Sequence, residues 1–337
     1  MKALITGIAG FAGNYLAQLL LEKGLDVYGA SQENDFKPFL PIDGAAVHYT
    51  SINLQDRARV GGYLGDVRPD LVFHLAAKSS PAQSAKCPQE TFAVNFGGTL
   101  AILEAIRLRE IRCRFLLVSS SHVYGNWGSG GSGESHEPVP EDAPLKPESP
   151  YAASKAAAEM AAYQYWKTYG IEIVIARAFN HTGPGQGQGF VCPDLARKVV
   201  EIERGLRTPR LEVLGLSRRM DFSHVRDVVR GYHSALVIGT PGEAYNLCSG
   251  KGVTVQTIAE NLIAGSSKTI SVGSCPSESQ AGGKPGIVGD NAKAARDLGW
   301  EPLIPVSETM REVISYWRQS FSTPSQPTER DGTFSGC

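Results

Sequence analysis

The sequence carries almost no excess charge: 33 Lys and Arg stand against 34 Asp and Glu, a formal −1 over 337 residues. Nucleic acids and anionic membrane surfaces recruit basic patches, so this balance argues against both and favours a small-molecule partner. Cysteine is sparse and unpatterned. Cys87, Cys113, Cys192, Cys248, Cys275 and Cys337 form no CxxC spacing, which indicates neither a zinc knuckle nor a disulfide framework, and reduced thiols in a cytosol are the expectation. The seven histidines contain no HExxH or related spacing, so no metal is expected. MKALITGIAGFAG has the outline of a signal peptide, but its run is short and broken by glycines, so neither export nor a membrane span is expected.

What is present is an alternation. Lys2–Thr6 is a short apolar run ending at Gly7, and from Phe11 onward Tyr15, Leu16, Leu19 and Leu20 recur at helical spacing. LDVYGA and VHYTSI read as further strands, followed by a helix after Asp56 and the strand DLVFHLAA. A long helix from Asn95 to Arg109, the strand RFLLVSS, a helix from Tyr151 to about Tyr169 and the strand IEIVIARAF complete the series. Strands alternating with helices predict an α/β fold, a Rossmann-type doubly wound parallel sheet covered on both faces. Residues 1–178, with a returning segment near 220–248, are expected to form the dinucleotide-binding domain. Residues 179–219 and 249–320 would build a smaller α/β substrate-binding lobe, with helices near Leu195–Gly205 and Val255–Ala264 and a last one over SETMREVISYWRQ. The Gly/Ser-rich stretch from Gly125 to Ser149, with GSGGSG at its centre, reads as a mobile loop. The polar tail 321–337 reads as disordered.

TGIAGFAG sets Gly7, Gly10 and Gly13 between a strand and a helix. Such a turn needs positive φ, a pyrophosphate must approach bare backbone at the helix N-terminus, and the last glycine lets helix and strand pack closely. A glycine triplet alone also serves as a plain structural turn; the strand–turn–helix context favours dinucleotide binding. The second strand ends in Ala30, Ser31 and Gln32, with no acidic residue to hold a free ribose 2′-hydroxyl. That absence favours NADP(H) and leaves NAD(H) possible, with Ser31 and Gln32 as hydrogen-bond donors.

Tyr151 and Lys155 lie four apart on one helical face. An ammonium beside a phenol favours the phenolate, lowering a pKa that starts near ~10, which suits proton exchange with an alcohol–ketone pair. The spacing is common by itself and gains meaning from its company. Ser119, Ser120 and Ser121 sit at the carboxyl end of a parallel strand, where such folds bind ligands, although an ordinary serine-rich strand exit reads the same way.

TGIAGFAG, LAAKSS, AVNFGGT, SSSHVYG, PYAASK and MDFSHVRD, in this order over almost the whole chain, resemble the extended short-chain dehydrogenase/reductases acting on nucleotide sugars. Arg177 to Val199 and GDNAKAARDLGWEP look most like the GDP-4-keto-6-deoxy-D-mannose reductases and GDP-mannose 4,6-dehydratases. The resemblance implies Ser120 as catalytic hydroxyl, Tyr151 as acid/base and Lys155 as its activator and ribose ligand. It implies cofactor contacts at Gly7, Ile8, Gly10, Phe11, Ala12 and Gly13, and at Ser31, Gln32, Asn53 and Leu54. Further contacts fall at Leu75, Ala76, Ala77, Lys78, Asn95, Ser119 and Phe179. Substrate contacts are implied at Lys78, Ser121, His122, Asn180, Phe190, Val191, Arg218, Arg219 and Glu278. It also implies a homodimer through the helices carrying Asn95 and Tyr151, with Ala152 and Ala156 permitting close approach; helix propensity explains those alanines nearly as well.

Two departures stand out. Arginines of that family before the DF aspartate and before the Pro-Ser-Glu-like segment are replaced by Met220 and Cys275, and those arginines grip the substrate diphosphate. A one-residue shift would let Arg218 or Arg219 substitute. At the position where the dehydratases carry a glutamate that removes the C5 proton, this chain has His122, so dehydration is disfavoured. The expectation is NADP(H)-dependent reduction of a 4-keto nucleotide sugar. A 4-epimerase or 4,6-dehydratase is the enzymatic alternative, and a catalytically silent cofactor-sensing protein the non-enzymatic one.

Overall fold

The computed structural model describes residues 1–43, 46–127, 137–275 and 286–322. The first half runs β1 (Lys2–Thr6), α1 (Phe11–Glu22), β2 (Asp26–Ser31), β3 (Val47–Ser51), α2 (Arg57–Val67) and β4 (Leu71–His74). Then come α3 (Pro81–Lys86), α4 (Pro88–Phe92), α5 (Gly98–Leu108), β5 (Arg114–Ser120), α6 (Pro150–Tyr169) and β6 (Glu172–Ala178). Past β6 the elements shorten: β7 (Asn180–Thr182), α7 (Val191–Glu203), β8 (Arg210–Val213), β9 (Arg219–His224), α8 (Val225–Ile238) and β10 (Ala244–Leu247). The chain closes with β11 (Gly252–Thr254), α9 (Val255–Ile263), β12 (Ser271–Ser274), α10 (Ala292–Leu298) and α11 (Val306–Ser322).

Seven strands form one parallel sheet in the order β10-β6-β5-β4-β1-β2-β3. The strand order reverses between β1 and β4, and their carboxyl ends open the crevice where doubly wound sheets bind ligands. Burial explains the strand composition: all four residues of β4 and six of seven in β6 are buried, as a sheet covered on both faces requires. Leu16, Leu20, Val228 and Tyr232 cover one face with α1 and α8. Val60, Ile102, Ala158 and Ala162 cover the other with α2, α5 and α6. A separate apolar cluster joins α7, α9 and α11 to β8 and β9 through Val199, Leu211, Ile258 and Val313.

Three expectations are corrected here. The helix expected to start at Asn95 begins at Pro88 and passes through a π-helical turn, Ala93–Gly97, before α5. That wider turn carries Asn95 inward, 2% exposed, a common device at functional positions. The stretch Pro88–Leu108 is apolar and long enough to cross a membrane by length and composition, yet half of it is buried inside the fold. The tail begins later than expected, because α11 continues to Ser322 and Phe321 packs on the apolar cluster under Arg204; residues 323–337 lie outside those described. Residues 137–149 are pinned where mobility was expected. Val139 exchanges backbone hydrogen bonds with Val288 and Asp290, and the Lys146 N–H donates to Val123. GSGGSG lies outside the described residues.

Candidate active site

β5 ends in three hydroxyls with separate tasks. Ser119 donates to the Glu159 carboxylate. Ser120 accepts the His122 N–H at 3.2 Å, capping the 3₁₀ turn Ser121–Tyr124, and its hydroxyl works to lower the Tyr151 pKa. Ser121 lines a cavity of about 190 Å³ together with His122, Asn126, Glu148, Asn180, Arg218 and Met220.

Helix α6 delivers Tyr151 and Lys155. Ser149 caps it by accepting the Ala152 N–H at 3.1 Å, Pro150 occupies its first turn, and Gly170 ends it at φ 70°. The start is therefore fixed, and Tyr151 enters buried in the first turn. Lys155 Nζ donates to the Val118 carbonyl at 2.8 Å.

The electrostatics differ from the expectation of a phenol acidified by its lysine. The Tyr151 pKa is raised, because burial disfavours the phenolate and only the Ser120 hydrogen bond opposes it. Burial also lowers the Lys155 pKa to about 8, with Glu159 working against that fall. The His122 ring faces the cavity and stands edge-on to the Tyr151 ring, centroids 5.9 Å apart. Burial, then the Arg218 charge, lowers its pKa, so it is neutral at pH 7.

The crevice residues fit a dinucleotide. Gly7 has φ 75°, and a Cβ there would lie 2.8 Å from the Ala76 nitrogen. Gly10 caps α1 without a side chain, and a Cβ on Gly13 would meet the Gly7 carbonyl at 2.3 Å. Asn14, which the sequence reading passed over, braces the turn: its amide donates to Ile8 and Gly10 carbonyls at 3.0 and 3.1 Å. Ile8 offers only backbone, since its side chain fills the space beside Gly29. Phe11 stacks between Phe39 and His181, and Ala12 packs against the core below.

At the end of β2, Ser31 Oγ pairs with the Tyr49 hydroxyl at 2.9 Å and Gln32 Nε2 donates to Asn53 Oδ1 at 3.2 Å. Leu54 packs against Gly98, and the Leu75 N–H donates to Thr6. Ala76 and Ala77 follow β4 at the crevice. Asn95 brackets the Lys78 backbone, accepting its N–H at 2.8 Å, and donates to Ser154 Oγ at 2.9 Å. The Lys78 ammonium pairs with Glu90. Phe179 is 2% exposed and sits in a core cluster with Tyr124.

Of the substrate candidates, Ser121, His122, Asn180 and Arg218 converge on the cavity. Arg218 and Met220 stand two apart on an extended segment and reach one side, so no register shift is needed to bring a cation there. Asp221 fixes that segment, accepting from the Ser249, Gly250 and Gly289 N–H groups at 2.7, 3.1 and 3.2 Å. Other candidates stand elsewhere. Arg219 turns away to the Gly252 carbonyl. Phe190, 39% exposed, and Val191, at the start of α7, lie outside the cavity. Ala152 is 2% exposed and lines the cavity. Glu278 falls outside the described residues. Asn126, Glu148 and Ile287 are cavity residues without any periodic or motif signal to mark them.

The model of the family described as GDP-mannose 4,6 dehydratase matches residues 4–313. The chain belongs to the GDP-mannose 4,6-dehydratase family. It is 31% identical to the GDP-6-deoxy-D-mannose reductase of Pseudomonas aeruginosa, over 94% of this chain and 97% of that one. The structure of RMD from the same organism, complexed with NADPH, superposes with a TM-score of 0.77 at 30% identity, covering 94% of this chain and 99% of that one. The UDP-glucose 4-epimerase of Thermotoga maritima with UDP-glucose gives 0.82 at 26% identity, covering 95% and 100%. These relatives are NAD(P)-dependent enzymes of nucleotide-sugar chemistry, and this chain is an enzyme of that family.

Proposed function

We propose that the chain reduces a 4-keto nucleotide sugar, with NADP(H) favoured over NAD(H). One observation carries the reading: beside Tyr151 and Ser120 the cavity presents the neutral imidazole of His122 and no carboxylate at that position. Tyr151 can give a proton to a C4 oxygen, whereas dehydration also needs a base for the C5 proton, which a carboxylate at 122 would supply.

When bound, the nicotinamide cofactor supplies the hydride that C4 accepts. Tyr151 gives its proton to the carbonyl oxygen as charge develops there, and Ser120 holds that oxygen by a hydrogen bond. Hydride on carbon and proton on oxygen turn the ketone into a secondary alcohol. Lys155, four residues on along α6, is assigned to the charge that forms on the phenol during transfer, although in the resting site only Ser120 opposes the effect of burial. His122 shapes the sugar pocket and lacks the charge of a carboxylate base. Arg218 takes the diphosphate in place of an arginine at 220, and Asn180 borders the sugar.

The reductase relative from P. aeruginosa and the NADPH complex of RMD support this reading. We read the chain as a two-lobed enzyme of the cytoplasm, the lobes dividing near 178. We further read it as a homodimer through α5 and α6, supported by the exposed apolar side chains of Leu108, Met160 and Tyr163. The likeness to the T. maritima epimerase keeps 4-epimerisation as the second reading.

The test is incubation with GDP-4-keto-6-deoxy-D-mannose and NADPH, following nicotinamide absorbance. Stoichiometric consumption supports the reductase. Product without consumption, together with a cofactor that copurifies, makes the protein an epimerase.

A further inference from the structure

Below the catalytic hydroxyls lies a buried ion pair that the reaction as described leaves without a task. Glu159 is 0% exposed and Arg177 6%. Arg177 Nη2 and Nε donate to Glu159 Oε2 at 2.8 and 3.1 Å, and Ser119 Oγ donates to Oε1. Arg177 is itself held: Nη1 donates to the Tyr124 hydroxyl at 2.8 Å and to the Glu141 carbonyl at 2.7 Å. Tyr124 in turn donates to Asn246 Oδ1 at 2.7 Å. An ion pair this deep costs desolvation energy that well-packed apolar residues avoid, so its presence calls for a use.

Its position supplies one. Tyr151, Lys155 and Glu159 succeed one another at four-residue spacing on the buried face of α6. The end of β5 serves two of them by hydrogen bonds, Val118 through its carbonyl to Lys155 and Ser119 to Glu159, and the next residue, Ser120, acts to lower the Tyr151 pKa. The geometry points to Glu159, braced by Arg177, as the positioning residue whose charge keeps the Lys155 ammonium in its protonated form at the exit of β5. This rests on the assignment of Lys155 as the charged neighbour of Tyr151 in the proposed reduction.

The surroundings leave Glu159 as the charge suited to that task. His74 of β4 is kept neutral by burial and by Lys155 itself, its pKa lowered to about 3, with both ring nitrogens bonded to Thr6 and Thr99 hydroxyls. His122 of the 3₁₀ turn is neutral, and burial raises the Tyr124 pKa. Glu90 of α4 is bound to Lys78, while Glu104 and Arg107 of α5 pair at the far end of α6 beside Tyr165. Lys86 of α3 is exposed. Arg177 of β6 is opposite in sign to what Lys155 needs, and Glu159 engages it through both carboxylate oxygens. Against burial, Glu159 raises Lys155's affinity for its proton.

Lys155 can be titrated directly by the Cε shift in full-length protein made with ¹³C-lysine, the signal being assigned by its loss in Lys155→Met. The midpoint, near 8 in the parent protein, falls by ~1 unit or more in Glu159→Gln. The double variant Glu159→Gln/Arg177→Met removes both charges, guards against misfolding of the single one, and is also expected to titrate below the parent. The alkaline limb of the turnover profile moves down with it. A Lys155 midpoint unchanged in either folded variant overturns the proposal. This titration needs no substrate, so it reads out even if the parent protein turns over no 4-keto sugar, a result that overturns the reductase reading instead.

Discussion

Lys155 Nζ donates to the Val118 carbonyl oxygen at 2.8 Å, setting a buried ammonium at the exit of the strand that carries Ser120. Burying that charge costs stability. Its pKa falls from 10.5 to about 8, so between those values the unfolded chain keeps a proton that the folded one has lost. Stability from this group therefore rises as pH goes from about 8 towards 10.5, and the full cost is present below about 8. Lys155→Met is expected to raise stability at neutral pH by ~1–3 kcal/mol and to flatten the alkaline rise. Urea unfolding at neutral and alkaline pH checks both. A destabilised variant contradicts the assignment.

Arg218 and Arg219 are adjacent but face different surroundings, the cavity and the Gly252 carbonyl. A charge-assisted bond to a diphosphate is worth ~1.5–3 kcal/mol, so Arg218→Met should raise KM ~10–100-fold with kcat little changed. Arg219→Met should leave both near the parent values. In Arg218→Met the His122 ring should also titrate higher, while burial still keeps it below its ordinary value. Equal effects of the two substitutions would reverse the assignment.

His122 meets Tyr151 edge-on and is held neutral. His122→Gln retains a polar group of similar size and should keep turnover within ~10-fold. Loss of all turnover with nucleotide binding intact would give His122 a chemical role.

Gly13 and Gly62 make a matched contrast. A Cβ at 13 would lie 2.3 Å from the Gly7 carbonyl and 2.7 Å from Ile8 Cα, both backbone atoms, whereas nothing lies within 4 Å of one at 62. Gly13→Ala should lower Tm and abolish dinucleotide binding. Gly62→Ala, inside α2, should stabilise by ~0.5–1 kcal/mol. Thermal melts with and without NADPH separate the two.

The parallel sheet was legible because β1, β4, β5 and β6 are continuous apolar runs and the glycine turn has a physical signature. Tyr151 and Lys155 were legible from helical spacing. The small lobe was not. Its strands β8, β11 and β12 are three or four residues long, too short for alternation to show, and they are held by partners distant in sequence. The π turn at Asn95 is invisible to a 3.6-residue period, since it is set by the Lys78 and Ser154 contacts. Spacing alone also registers only part of what surrounds the Tyr151 phenol. It registers the ammonium four residues away but neither the burial of both groups nor the Glu159 charge one turn further on.

The central claim is that Tyr151 protonates a C4 oxygen while C5 is left untouched. The most direct measurement is turnover of GDP-4-keto-6-deoxy-D-mannose in D₂O with NADPH deuterated at both C4 hydrogens, read by mass spectrometry and NMR of the product. The account predicts one carbon-bound deuterium, at sugar C4, none at C5, one NADPH consumed per product, and near-complete loss in Tyr151→Phe. Deuterium at C5, or product formed without net NADPH oxidation, would contradict it.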